Sequence, residues 1–144
     1  MIFLSCDDNY VSSIPSYPVS LQINLSVGKY VTFRNSTNEY LLFEKRIIET
    51  DRVGFGGVLV YSGISLDDGG NTIYYAFDMA CPYEAKSNIK VYPVKDALGK
   101  VKCDECGSVY DVGFGLGNPV EGPSKEILKR YKTSLSSDVL YIYR

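Results

Sequence analysis

The chain contains no histidine and no tryptophan among its 144 residues. The missing imidazole excludes Ser-His-Asp and Cys-His nucleophilic catalysis, zinc sites of the mixed Cys/His type and the 2-His-1-carboxylate iron centre. General acid–base work would fall to carboxylates, tyrosine or lysine. There is no excess of basic charge either. Fifteen Lys and Arg stand against 17 Asp and Glu, a net charge of −2, so no nucleic-acid partner is expected. Nothing approaches the roughly 18 consecutive apolar residues that would span a membrane. No residue set supports hydrolysis or group transfer, so the expected activity is electron transfer at most.

What is present fits one domain. The length suits a single sizeable core, and 45% of the residues are hydrophobic, with 13 tyrosines, 13 glycines and 4 cysteines. The opening Met1-Ile2-Phe3-Leu4-Ser5-Cys6 is a short apolar run ending in a small residue and a cysteine. It resembles the tail of a bacterial lipoprotein signal peptide, in which the cysteine becomes the lipidated first residue. It departs from that pattern by lacking the positively charged region and most of the apolar stretch. Residues 7–18, rich in Asp, Asn, Ser and Pro, read as a solvated tether. The expectation is a lipid on Cys6 and an exported monomer anchored to a bacterial membrane, periplasmic or at the cell surface. Such a chain would meet a redox or surface partner. The plainer alternative is a starting methionine followed by a buried cysteine.

Beyond residue 18 the pattern is mostly strand. Val19, Leu21, Ile23 and Leu25 alternate with Ser20, Gln22 and Asn24, which marks one buried and one wet sheet face. Tyr30-Val31-Thr32-Phe33 reads as a strand after a turn at Gly28, while Tyr40–Phe43 with Ile47 and Ile48 fits either strands or one helix over 37–46. Val58–Tyr61, Ile73–Phe77, Ile89–Tyr92, Lys100–Cys103, Val109–Val112 and Val139–Tyr143 read as further strands. Short strands at such spacing, bounded by Gly, Pro and Asn, predict an all-β antiparallel sandwich or barrel.

Three cysteines fall in one quarter of the chain: Cys81 in Ala80-Cys81-Pro82-Tyr83-Glu84, and Cys103 and Cys106 in Cys103-Asp104-Glu105-Cys106-Gly107-Ser108. A C-x-x-C pair on a tight loop brings two sulfurs to one point, which suits a metal, an iron–sulfur cluster or a reversible disulfide. Parity separates the options. With Cys6 lipidated, a disulfide leaves one thiol over, whereas a metal site can use all three. A structural disulfide beside one buried cysteine accounts for the same residues.

The run Cys103-Asp104-Glu105-Cys106-Gly107-Ser108-Val109-Tyr110-Asp111, with Gly113, Gly117, Gly122-Pro123-Ser124, Leu128 and Tyr131 after it, resembles the second half of a Rieske iron–sulfur domain. In that family a C-x-H element precedes C-x-x-H-G-S-x-Y-D, and a glycine-proline loop covers the cluster. Cys81-Pro82-Tyr83 would be the first element, and the likeness runs from about Phe77 to Tyr131. The resemblance implies a Rieske-like β domain over 19–144, with a small inserted site subdomain at about 78–124. A Rieske centre is a 2Fe-2S cluster with two cysteines on one iron and two histidines on the other. Here Cys81 and Cys103 match the cysteine ligands, while Tyr83 and Cys106 stand at the histidine positions. Cys106 supplies a third sulfur and Tyr83 is a poor fourth ligand. Glu84, Asp104 and Glu105 are nearby oxygen donors. Ser108 and Tyr110 match the family's hydroxyls that hydrogen-bond the cluster sulfurs, and Gly122 and Pro123 match the covering loop.

Three readings follow. One is a Rieske-like 2Fe-2S protein with altered ligands, working in electron transfer. Its potential would fall from the Rieske range of about −150 to +300 mV toward about −400 mV, because thiolate replaces neutral imidazole. Another is a cluster-free Rieske fold closed by a disulfide, acting as an exported binding or structural domain. The third is a zinc site of three thiolates with an oxygen or water.

Other motifs point elsewhere more weakly. Gly113-Phe114-Gly115-Leu116-Gly117 runs into Asn118-Pro119, a turn, whereas a dinucleotide loop must open a helix. Tyr74, Tyr75 and Tyr141 suit strand positions as well as a sugar-binding face. Asn24-Leu25-Ser26 and Asn35-Ser36-Thr37 are formal sequons. Asp67-Asp68 and Asp7-Asp8 read as turn and tether rather than calcium loops, which need about six oxygens.

Overall fold

The computed structural model describes residues 12–65, 67 and 69–144. Cys6 and the Asp7-Asp8 pair, and with them the lipidation reading, lie outside the described residues. Among the described residues the fold is all-β: eleven strands in two antiparallel sheets, with one short helix. The strands are β1 (Val19–Asn24), β2 (Glu39–Phe43), β3 (Arg52–Val53), β4 (Val58–Ile64), β5 (Thr72–Asp78), β6 (Val91–Pro93), β7 (Lys100–Cys103), β8 (Val109–Asp111), β9 (Asn118–Glu121), β10 (Arg130–Ser136) and β11 (Val139–Tyr143). The helix, α1, covers Tyr30–Arg34. Among the described residues no helix is long and apolar enough to cross a membrane.

The larger sheet runs β2-β4-β5-β10-β11-β1-β3. Its corner is β10, whose first residues Arg130 and Tyr131 pair with β5, while Lys132–Ser136 pair with β11. The sheet therefore folds over on itself around a core. The alternation of β1 supplies one wall, with Leu21 opposite Ile142 and Ile23 opposite Leu140. Val58, Val60, Tyr74 and Ala76 supply the other.

β4 is buried on both faces from Val58 to Gly63, the pattern of a strand covered on both sides. Val58 and Val60 face the first core, whereas Leu59 and Tyr61 face a second one with Phe77, Val91, Val101, Tyr110 and Leu128. The second core lies against a four-stranded sheet, β6-β7-β8-β9. Burying each such aliphatic or aromatic side chain contributes about 1.5–3 kcal/mol, so the small sheet is fixed to the large one by apolar packing. Its register shifts between Val109 and Tyr110, where β8 meets β9. Pro119 is accommodated because β9 is an edge strand and needs no ladder donor on its free side.

One segment differs from the sequence reading, and a second takes one of the two alternatives left open there. Residues 30–33 form a helix rather than a strand, because the first core takes Phe33 with Tyr30 packed against it, a spacing of three that only a helical turn presents on one side. Phe33 then stacks on Tyr74 with ring centroids 5.6 Å apart. Residues 39–43 are a strand, paired with β4 so that Leu41 lies opposite Val60. Ile47 and Ile48 belong to no element and are exposed, their backbone N–H groups donating to Asp51 Oδ2.

Candidate metal centre

Two loops converge on one point. The first follows β5, with Cys81 at its start. The second is the turn between β7 and β8, which carries Cys103 at the strand end and Cys106 in the turn. The Sγ atoms of Cys81, Cys103 and Cys106 all lie within 4.8 Å of one another, with Cys81 and Cys106 3.7 Å apart. All three are free thiols. Cys81 and Cys103 are fully buried, whereas Cys106 is partly exposed.

The C-x-x-C turn is built to hold sulfur. The Gly107 N–H donates to the Cys103 carbonyl at 2.8 Å and the Cys103 N–H to the Ser108 carbonyl at 2.9 Å. Gly107 adopts φ +79°, a conformation that glycine takes without steric cost. The turn thereby aims the backbone N–H groups of Cys106 and Glu105 at the Cys103 sulfur, and that of Ser108 at the Cys106 sulfur.

Electrostatics differ between the sulfurs. Burial pushes the Cys103 thiol up to about 12 despite those two backbone donors, with Cys81 adding to the rise. Burial also opposes a thiolate at Cys106, but hydrogen bonds from the Ser108 hydroxyl and backbone and from the other two cysteines outweigh it. The Cys106 thiol ends below its ordinary value. Cys106 is thus more readily ionised than Cys103, and thiolate is the form that binds metals.

Two hydroxyls adjoin the sulfurs. Tyr110 Oη is 3.2 Å from Cys81 Sγ and Ser108 Oγ is 3.2 Å from Cys106 Sγ. Burial, then the Cys81 contact, raises the Tyr110 phenol well above its ordinary value, so it stays a donor at neutral pH. Ser108 Oγ also accepts the Ser124 N–H at 3.0 Å, which ties in the loop of Gly122 and Pro123. Gly122 has φ +85°, and a Cβ there would lie 2.5 Å from Ser108 Cα, so that loop rests directly on the backbone of the site. Tyr83 is different. It is 55% exposed and makes no hydrogen bond with the sulfur group among the described residues. Instead it lines a shallow cleft of about 480 Å³ with Pro82, Pro123, Ser124 and Lys125.

Sequence reasoning missed Asp78. Its carboxylate is fully buried and accepts four hydrogen bonds: Gly56 N–H (2.9 Å) and Ala80 N–H (2.8 Å) on Oδ1, and Phe55 N–H (2.8 Å) and the Tyr131 hydroxyl (2.6 Å) on Oδ2. It therefore fixes the chain one residue before Cys81. The available signal was an acid closing the apolar run Ile73–Phe77 just before that cysteine.

The donor set can be tested against two kinds of centre. Four thiolates or similar ligands about 2.3 Å from a tetrahedral ion stand about 3.8 Å from one another, and the 3.7 Å between Cys81 and Cys106 matches that edge. A 2Fe-2S cluster of Rieske type divides its ligands between two irons. The residues at the two histidine positions do not form a second pair: Cys106 has closed onto Cys81 and Tyr83 lies out in the cleft. The three sulfurs lie close enough together to share a metal.

No protein-family model matches the chain and no curated protein matches it. One solved structure, a complex of reduced oxygenase and oxidized ferredoxin in carbazole 1,9a-dioxygenase, contains a chain similar to this one. The identity is 16%, over 75% of this chain and 82% of that chain, with a TM-score of 0.47.

Proposed function

We propose that the protein is a Rieske-like metal-binding domain holding a single thiophilic ion, iron or zinc, between Cys81, Cys103 and Cys106. The observation that carries this reading is the mutual closeness of the three sulfurs, all within 4.8 Å. Thiolate ligands in tetrahedral array select such soft or borderline metals. When bound, iron would supply one-electron redox chemistry and zinc a structural clamp. The chain's own residues do the rest. Backbone N–H groups of the C-x-x-C turn and the hydroxyls of Ser108 and Tyr110 stabilise negative sulfur, and burial of Cys81 and Cys103 excludes water. The lipid at Cys6, export and a surface or redox partner remain part of this proposal through the amino-terminal sequence.

A second reading, electron transfer through a 2Fe-2S cluster with altered ligands, is favoured by one observation. Ser108 and Tyr110 stand at sulfur atoms, as the Rieske resemblance implies. Anaerobically purified protein separates the readings. The single-ion site predicts one iron or zinc per chain, no acid-labile sulfide, and Cys81, Cys103 and Cys106 all titrating as thiols after denaturation in chelator. Two irons with two labile sulfides would replace it with the cluster. A metal-free chain in which two of these thiols are lost would replace it with the disulfide-closed domain.

A further inference from the structure

We infer that the sulfur group is a redox switch: hydrogen peroxide joins Cys81 to Cys106 as a disulfide, and that bond and the ion exclude each other. This rests on the single-ion reading, because the bond consumes two of the same three sulfurs. Cys81 Sγ and Cys106 Sγ stand 3.7 Å apart as free thiols. Disulfide sulfurs stand about 2.05 Å apart, so the bond asks for an approach of about 1.7 Å. Cys81 is the fixed partner. Its N–H donates to the Ile89 carbonyl at 3.0 Å, its carbonyl accepts the Ala85 N–H at 2.8 Å, and its side chain is buried beside Tyr110. Cys106 is the partner with room to move. It is partly exposed on its turn, and at Gly107, the next residue, nothing lies within 4 Å of where a Cβ would stand.

Exposure also orders the chemistry. Cys81 and Cys103 are fully buried, so the oxidant meets Cys106 first. The Cys106 sulfur attacks one peroxide oxygen. An S–O bond forms, the O–O bond breaks, and the other oxygen leaves as water with the thiol's proton, giving a sulfenic acid. The Cys81 sulfur then attacks the Cys106 sulfur. The S–S bond forms, the S–O bond breaks, and the hydroxyl leaves as a second water with the Cys81 proton. Two thiols have lost two electrons and two protons, and one peroxide has become two waters. Cys103 stays a thiol. Thiolate is the ligand form of cysteine, so the bond removes two of three ligands and expels the ion. A bound ion occupies the same sulfur electron pairs and protects them from peroxide.

The test uses the full chain, reduced with a phosphine and freed of metal, half of it then loaded with zinc. With one equivalent of hydrogen peroxide the metal-free half should lose two thiols. Cleavage before Asp104 places Cys103 and Cys106 on separate peptides, and mass spectrometry should find Cys106 linked to Cys81. Zinc uptake should vanish with the bond and return when the phosphine reduces it. The zinc-loaded half should lose thiols at least about 10-fold more slowly. Cys103→Ala should still form the bond while binding zinc weakly. A linkage through Cys103 or Cys6, or oxidation of Cys106 with no linkage, overturns the switch and leaves the single-ion reading standing if the reduced chain binds one zinc. A reduced chain that binds no zinc overturns the single-ion reading and, with it, the exclusion of ion by bond.

Discussion

The Tyr110 hydroxyl lies 3.2 Å from Cys81 Sγ, and both residues are fully buried in the core that joins the two sheets. A donor held this way lowers the cost of negative charge on the sulfur when it ligates a metal. Replacing Tyr110 by Phe keeps the ring and removes the donor. Zinc affinity, read by competition against a chromophoric chelator, should drop about 10-fold to 100-fold, the usual range for lost outer-shell partners. Tyr61→Phe in the same core should leave the affinity unchanged. Equal affinities for Tyr110→Phe and the parent would show that this hydroxyl serves packing alone.

Asp78 has both carboxylate oxygens filled by two donors each. In Asp78→Asn an amide NH₂ must face two of those donors whichever way it turns. Leaving buried donors unpaired costs about 1–3 kcal/mol each, so the variant should lose roughly 2–5 kcal/mol in urea unfolding. Tyr131→Phe removes one donor and should cost less. The double variant should lose less than the sum of the two, because the changes share a partner. Strict additivity would mean that the Tyr131–Asp78 bond is energetically idle.

Gly122 and Gly107 both have left-handed φ, +85° and +79°, yet only Gly122 is crowded, with Ser108 Cα 2.5 Å from where a Cβ would stand. Gly107→Ala should cost about 1 kcal/mol through backbone strain alone. Gly122→Ala adds a backbone clash and should cost more than twice that figure. It should also weaken metal binding, since the loop it displaces delivers the Ser124 N–H to Ser108. Indistinguishable thermal midpoints for the two variants would show that the loop yields freely.

Much of this was legible along the chain, and the gaps have physical causes. β7 and β11 coincide with the strands expected at Lys100–Cys103 and Val139–Tyr143, because each is a compact β-rich run with clear ends. β10 escaped notice because it buries only Tyr131 completely among Arg, Lys, Ser and Thr, a corner strand with little apolar face. β9 was hidden by Pro119, tolerated only because the strand is an edge. The α1 segment has strand-like composition, and its helical spacing becomes visible only when the core that receives Phe33 is known. For the site, sequence spacing brought the C-x-x-C pair together, but the approach of Cys81 depends on pairing between loops 22 residues apart. Asp78 depends on donors from Gly56 and Tyr131, far from it along the chain.

Alkaline pH should destabilise the metal-free protein. Burial raises Tyr40 to about 12 and Cys103 to about 12, and it pushes Tyr110 and Tyr131 further in the same direction. In the unfolded chain these groups ionise near their ordinary values of 9.0 for cysteine and 10.0 for tyrosine. Between those values and the raised ones, the unfolded chain has released protons that the folded chain still holds. Stability linked to these groups is thus fully present below about pH 9 and falls as pH rises toward 12. The urea midpoint of chelator-treated, reduced protein should be level from pH 7 to about 8.5 and then decline steeply by about pH 10.5. Tyr131→Phe removes one raised group, so its decline should be shallower even though its midpoint at pH 7 is lower. A parent midpoint that stayed level to about pH 11 would contradict the burial of these four acids.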